Sequence, residues 1–582
     1  MNATASIRKW APILQWLPSY EKSNLRGDLS AGMTVAVMLI PQGMAYAVLA
    51  GLPPVYGLYA SILPLLLYAV FGTSRQLAVG PVAMVSLIIF AGISEFAQPG
   101  TERFIQLAIL ATLGVGVIQT MMGTLKMGFL VNFLSHPVLS GFTSAAAIII
   151  GASQLKNLFG LQIPGSMPVL DTITTAVINL PNANLATALI GIGSVILIIG
   201  LKKWKKSFPS ALVVVLIGTG IVALLDLNLH GVAIVGDIPK GFPAFSSPEF
   251  NVQDLISLMP VILVISLVGY MESIAIAKSI ANRRQYKIDS NQELIGLGMA
   301  NIGGAFFQSF PVTGGLSRTA VNDQAGAETP LAAIISAVVV AFTVAFLTPL
   351  FYYLPQAVLA AIIIVAVSSL FDSHAMKVLW KTDRRDLALL LVTFISTLSL
   401  GIETGIAIGV ILSLVIVIYN STKPHSAELG RLEQTENYRN LDRYPEAVKR
   451  EDVIVFRYDS PLYFASSNYF LDRVQELVQT RNTTPKLFIL DAASVNFIDS
   501  TGMHSLEELL KFLDKKGIKF AIAGVIGPVR DKLKQSGIMT QIGMNNFFFD
   551  VAEAMRSFDL GHDQSERDRT TNVSYHPAQA NC

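Results

Sequence analysis

The residues best suited to chemistry fall in one stretch, Phe310-Pro311-Val312-Thr313-Gly314-Gly315-Leu316-Ser317-Arg318-Thr319-Ala320-Val321-Asn322, inside a strongly apolar chain. Pro311 and Val312 favour extended backbone, and Gly314-Gly315 permit a sharp turn that feeds Ser317, Arg318 and Thr319. Within a bilayer, irregular backbone is tolerated only where protein buries it or a cavity borders it, and an arginine argues for the cavity. A helix that starts after the glycines presents unpaired N–H groups and a partial positive charge, so the chemistry indicated is anion binding. The competing reading is a re-entrant loop with an arginine near the headgroups. Glu272 is the second chemical residue, in mid-span within Val268-Gly269-Tyr270-Met271-Glu272-Ser273-Ile274. An ionised carboxylate there is costly, so it must pair, bind a cation or take a proton.

These residues are positioned by apolar spans. The first runs from Asp28 to Ala50 and is expected to be interrupted by a proline kink at Pro41-Gln42-Gly43. Gly57–Phe71 is the second. Val79-Gly80-Pro81-Val82-Ala83 then repeats the theme of extended residues, glycine and a helix start. Spans follow at Phe104–Leu125, Ser135–Leu155, Leu185–Leu201, Ala211–Leu225, Leu255–Ile280, Leu294–Phe307, Leu331–Leu350, Ala357–Leu370, Leu387–Leu400 and Gly405–Tyr419. With half-helices after Gly80 and Gly315 the count is fourteen, the long ones near the ~20 residues a bilayer needs. Ala78-Val79-Gly80-Pro81-Val82 aligns with Pro311-Val312-Thr313-Gly314-Gly315, and the span from Met33 aligns with that from Met259, which sets Tyr46 against Glu272. Seven spans per repeat invert the second half relative to the first, and interrupted segments at matching places point to a transporter site near the midplane.

Composition agrees with this reading. Apolar residues make up 52% and charged residues 14% of the 582, which indicates a polytopic membrane protein with a smaller soluble part. A net charge of +2 argues against a nucleic-acid partner. The single cysteine, Cys582, excludes an intrachain disulfide and a cysteine-based metal site. No metal cluster, nucleotide-binding glycine loop or nucleophile triad is visible, so no catalytic residue is assigned. No cleavable signal peptide is expected. Residues Ser6–Tyr20, with Arg8, Lys9, Trp10 and Trp16, suit an interfacial helix. Lys126, the Lys202/Lys203/Lys205/Lys206 cluster, Arg283, Arg284 and Lys287, the Lys377–Arg385 group and Lys423 all follow even-numbered spans, which places both termini in the cytoplasm.

After Tyr419 a charged connector, Glu428–Arg450, leads to alternating extended and helical stretches. Strands are expected at Val453–Phe456, Leu462–Phe464, Lys486–Asp491, Ile518–Val525 and Asn546–Phe549. Helices are expected at Asn468–Thr480, Ser500–Lys515, Pro528–Gln535 and Val551–Ser557. This alternation is a small α/β domain, with a polar tail from Gly561 expected to be disordered.

The chain resembles the SulP (sulfate permease) family of anion transporters with a C-terminal STAS domain. The resemblance rests on Pro41-Gln42-Gly43-Met44-Ala45-Tyr46-Ala47, Gly51 through Tyr59, Gly72-Thr73-Ser74-Arg75, Val79 through Ala83, Gly314 through Thr319, and Asp491 with Phe497-Ile498-Asp499-Ser500-Thr501-Gly502. It implies a polytopic α-helical membrane protein of fourteen segments in two inverted seven-segment repeats, split into core and gate domains. A cytoplasmic α/β STAS domain follows. The expected organisation is an interfacial segment over 1–24, a transport domain over 25–422, a connector over 423–450, STAS over 451–560 and a tail over 561–582.

The family binds its anion between the third and tenth segments, here Pro81, Val82 and Ala83 against Gly315, Leu316, Ser317 and Arg318, with Gln42 and Tyr46 closing a third side. Two helix ends contribute about half a charge each and Arg318 one, which roughly balances a dianion such as sulfate. The bland alternatives are a backbone-satisfying amide for Gln42, core packing for Tyr46 and a static pair with Arg318 for Glu272. The resemblance makes Glu272 a coupling site, and Ser500 matches a position phosphorylated in bacterial STAS proteins, against an ordinary helix cap. The reading is proton-coupled sulfate uptake across the inner or plasma membrane by an elevator-like homodimer. Sodium is the alternative coupling ion, and no cofactor is expected. Dicarboxylate, bicarbonate, chloride exchange or molybdate are alternative substrates. A membrane anion sensor that signals to a cytoplasmic partner through STAS is the alternative class.

Overall fold

A computed structural model of the protein describes residues 10–129, 135–163, 168–204, 209–239 and 241–567. The chain divides into two units, Met1–Ser413 and Leu414–Cys582. The first half of the helical unit contains α1 (Leu25–Leu49), α2 (Pro54–Tyr59), α3 (Leu63–Phe71), α4 (Ala83–Ser94), α5 (Glu102–Thr124), α6 (His136–Ser153), α7 (Leu185–Trp204) and α8 (Ser210–Leu224). The second contains α9 (Met259–Arg284), α10 (Ser290–Ala305), α11 (Leu316–Gln324), α12 (Leu331–Phe342), α13 (Gln356–Val367), α14 (Arg384–Leu400) and α15 (Ile402–Thr422). All the expected segments have helical counterparts, α2 and α3 sharing the second. Among the described residues, eight helical runs are long and apolar enough to cross a bilayer.

The helix contacts come in mirrored pairs. α1 packs on α12, while its counterpart α9 packs on α5, the counterpart of α12. α6 packs on α14 and, correspondingly, α13 packs on α7; α3 packs on its own counterpart, α10. An inverted duplication produces this pattern, because each contact is written into the sequence twice. α5 and α10 approach at glycines: a Cβ on Gly116 would lie 2.8 Å from the Gly298 oxygen, and one on Gly298 2.8 Å from that of Gly116. Small residues that let backbones meet are how helices associate where lipid removes the hydrophobic drive.

Several expectations are corrected. α1 runs unbroken through Pro41. Within the expected interfacial helix Trp10 is helical and Ile13–Trp16 forms one turn between Pro12 and Pro18, while Arg8 and Lys9 lie outside the described residues, as do Lys205 and Lys206. Helices at Val169–Asn179 and Ser373–Thr382 were not expected. Both are amphipathic connectors, without the long apolar run that marks a span.

A buried carboxylate fixes the approach to the first half-helix. Glu293, in the first turn of α10, accepts from Tyr68 Oη at 2.6 Å, from the Thr73 N–H and Oγ1 at 2.6 Å each, and from the Ser74 N–H at 3.0 Å. Its charge is thereby fully solvated by protein donors. The Gly72-Thr73-Ser74-Arg75 motif is thus a built turn, held in place for the strand that follows.

In the second unit the sheet order is β4 (Tyr438–Asn440), β3 (Ser426–Leu432), β6 (Val453–Tyr458), β7 (Leu487–Asp491), β8 (Lys519–Ala523), β9 (Phe547–Phe548), with β5 (Ala447–Val448) also on β3. β6 through β9 are parallel, and β3 runs antiparallel to β6. Ile454, Phe456, Phe488 and Ile522 face α16 (Ser467–Gln479) and α17 (Ser500–Lys515); Val453, Val455, Ile489 and Ala521 face the last helix, Val551–Arg567. Helices on both faces explain why these strands are apolar over most of their length, with Arg457, Asp491 and Lys519 at strand ends. The expected connector supplies β3, β4 and β5. Their alternation is masked by charges on exposed positions. Leu462–Phe464 makes only a single bridge, Leu462 to Ile498. The last helix extends to Arg567, into the segment read as tail; residues 568–582 lie outside the described ones.

Candidate functional site

The two interrupted segments meet. β1 (Val79–Gly80) and β2 (Thr313–Gly314) form a two-residue antiparallel ladder, with Val79 opposite Gly314 and Gly80 opposite Thr313. Gly80 and Thr313 are equivalent positions in the internal repeat, so the local two-fold axis passes between them. Symmetry would next pair Pro81 with Val312, but proline has no N–H to offer. Asn301 of α10 takes that place: its Oδ1 accepts the Val312 N–H at 2.8 Å and its Nδ2 donates to the Val312 oxygen at 3.1 Å. The side-chain amide acts as a surrogate peptide unit.

Other polar groups clamp the ladder from α9 and α11. The Gly314 N–H donates to Ser273 Oγ (2.8 Å), Ser273 and Thr313 share a 2.5 Å hydroxyl contact, and Thr313 Oγ1 donates to the Gly269 oxygen at 2.5 Å. Thr319 Oγ1 donates to the Gly315 oxygen (2.7 Å) and accepts the Ala78 N–H (3.0 Å). Asn322 Nδ2 donates to the Gln76 oxygen at 2.8 Å. Thr313, Thr319 and Asn322 lie in the stretch singled out from the sequence, but Ser273 and Asn301 were not singled out. Their signal was present as mid-span polar residues, Ser273 beside Glu272 and Asn301 within Leu294–Phe307.

From this ladder the chain leaves in two half-helices. α4 begins after Val82 and α11 after Gly315, and neither N-terminus is capped by a side chain. Gly80 has φ +153°, which a side chain would strain. Arg318, only 1% exposed, folds back under the ladder, and Nη1 donates to the Pro81 oxygen at 2.6 Å. It therefore bridges the two arms. Its Nε and Nη2 are buried with no acceptor on the protein.

The predicted residues converge only in part. Pro81, Val82, Ala83 and Gly315 are buried at the helix starts. Leu316 and Ser317 are exposed beside them. Gln42 and Tyr46 are both buried and lie one turn apart on α1. Gln42 Oε1 is buried with no hydrogen-bond partner. Tyr46, Glu272 and Arg318 lie within Coulombic range of one another. Glu272 Oε2 is buried and unpartnered, and no ion pair joins it to Arg318, so the static pair is not formed. The site thus holds donors with nothing to donate to, flanked by a carboxylate oxygen and an amide oxygen that receive no hydrogen bond.

The sequence matches the sulfate permease family over residues 25–393 and the STAS domain over 444–554. The chain belongs to the sulfate permease family. It is similar to probable sulfate transporter 4.2 of Arabidopsis thaliana (41% identity, 94% of this chain and 83% of that protein). It is also similar to sulfate transporter 4.1, chloroplastic, of the same plant (40%, 94% and 82%). Among solved structures, the murine Slc26a9 anion transporter in the inward-facing state matches with a TM-score of 0.88 at 28% identity, covering 96% of this chain and 95% of that one. This member of the family is therefore a multi-pass anion transporter with a STAS domain, and transport, not bond chemistry, is its activity.

In the STAS unit, Ser500 is exposed at the first helical position of α17. The cap is Asp499, whose Oδ1 accepts the Gly502 N–H at 2.7 Å while Oδ2 accepts that of Phe464 at 3.0 Å. The bland reading of Ser500 as the cap is thus corrected: its hydroxyl is not used to hold the helix.

Proposed function

We propose that the protein takes up sulfate with protons across the inner or plasma membrane, as a homodimer with both termini in the cytoplasm. The observation that carries this reading is the pair of uncapped half-helix N-termini joined by the β1–β2 ladder, with Arg318 Nε and Nη2 buried beside them without acceptors. Oriented N–H groups and a guanidinium suit a compact oxyanion. The names of the relatives favour sulfate among such anions. The unpartnered Glu272 carboxylate supports proton coupling, because an ionised form would repel a dianion at this range while a protonated one removes that repulsion and adds a donor. The ladder favours an elevator-like movement, since both arms of the site are tied together and travel as one.

The test is labelled sulfate uptake into proteoliposomes of the purified protein, with and without an inward proton gradient, with fumarate, bicarbonate and chloride as competitors. Gradient-driven sulfate accumulation is expected. Transport of a competitor in its place would replace the substrate, accumulation driven only by sodium would replace the coupling ion, and transport of none would favour a sensor acting through STAS.

A further inference from the structure

A cavity of about 430 Å3 lies away from the ladder, between the N-terminal segment and the turns that enter β1 and α10. Its walls include Trp16, Arg75, Tyr286, Lys287 and Asp289. Arg75 is exposed, stacks over the Tyr286 ring at 5.0 Å and has no acidic partner among the described residues; the same holds for the exposed Lys287. Asp289 is already used as the cap of α10, its Oδ1 accepting the N–H groups of Asn291 and Gln292 at 2.9 and 3.2 Å. The indole Nε1 of Trp16 is buried with no acceptor. The cavity therefore offers two cations without an acidic partner among the described residues, against one engaged carboxylate.

Its place in the fold says what fills it. The segment that walls it carries Trp10, Leu14 and Leu17 at 50%, 43% and 52% exposure, an exposed apolar face in a unit otherwise built to sit in lipid. Tryptophan and leucine beside basic residues are the signature of the bilayer interface. Gln292 Nε2 holds this segment to the core by donating to the Trp10 and Phe71 oxygens at 3.1 and 2.8 Å. We infer that this cavity binds the phosphate of an anionic phospholipid headgroup from the leaflet on the side of Arg283 and Arg284. The phosphate accepts from Arg75 and Lys287, and the acyl chains lie along Leu14 and Leu17. The lipid fastens the N-terminal segment to the turn that leads into β1.

The test is a titration of the full-length protein in phosphatidylcholine nanodiscs with dioctanoyl phosphatidylglycerol, read as the thermal midpoint, with dioctanoyl phosphatidylcholine and inorganic phosphate in parallel. Saturable stabilisation by phosphatidylglycerol alone is expected, with affinity lowered about thirtyfold in R75Q/K287Q and about fivefold in K287Q, as two and one interfacial charges imply. K287Q removes a side chain that holds nothing else, so its result stands even where the double variant folds poorly. Equal binding by wild type and K287Q would overturn the site. Saturable binding of inorganic phosphate with no preference for the lipid would overturn the headgroup assignment.

Discussion

Replacing Arg318 with methionine separates its two roles. In the sulfate-free protein the arginine makes one charge-assisted bond, to the Pro81 oxygen, and leaves Nε and Nη2 unmatched in a buried place. Such a bond contributes about 1.5–3 kcal/mol, and each unmatched buried donor costs about 1–3 kcal/mol. These contributions are of similar size, so R318M is expected to melt within a few degrees of wild type without sulfate, or above it. Replacing a buried charge with an apolar side chain of similar length often has that result. With sulfate the outcome reverses. A ligand at a hundred times its Kd stabilises the native state by about 2.7 kcal/mol, and wild type should show this shift. Loss of two charged donors, discounted for their desolvation, removes about 3 kcal/mol of binding, more than a hundredfold in affinity. R318M should therefore show no shift at the same concentration and no uptake in proteoliposomes. R318K keeps the charge but cannot reach the Pro81 oxygen and an anion through one fork, so its affinity should fall between the two. A variant R318M that melts far below wild type without sulfate, yet still gains the full sulfate shift, would refute the reasoning and leave Arg318 a crosslink.

E272Q should keep sulfate exchange at equal pH on both sides while losing the response of uptake to a proton gradient; an unchanged response would remove Glu272 from the coupling. N301A leaves the Val312 N–H and oxygen unpaired, so it should destabilise the protein by about 1–3 kcal/mol and raise the half-saturation for sulfate; thermal melting and uptake read the two effects. In the STAS domain, D499A should lower stability by about 1 kcal/mol while S500A leaves it unchanged, measured by denaturant unfolding of the full-length protein in micelles. Phosphopeptide mass spectrometry of cells grown with and without sulfate should find Ser500 modified in one condition, and its absence from both counts against a switch there.

The architecture was legible because each span needed a long apolar run and the basic residues cluster at one end of alternate spans. The ladder was half legible. Aligning Gly80 with Thr313 placed the two segments in register, yet nothing local said that they would pair, since a pairing across the chain depends on how the helices between them pack. Arg318 was legible as a charge in a cavity but not as a bridge to Pro81, because its side chain turns back toward the backbone, a direction that residue type does not encode. Pro41 misled in the opposite sense. Its ring suggested an interruption, but α1 continues through it. The strands β3, β4 and β5 were hidden because their outward positions are charged.

The Gly80–Thr313 pair has a consequence for how the protein is made. It closes a loop of 313 − 80 = 233 residues. Contacts so distant in sequence form late, since the ends must find each other after everything between has been laid down. A ribosome that has delivered α1 through α8 has inserted one arm of the anion site with nothing to pair with its strand. An anion held between the two arms can therefore offer no help to the nascent first half, and any stabilisation by it arrives in a single step, once α11 has entered the membrane.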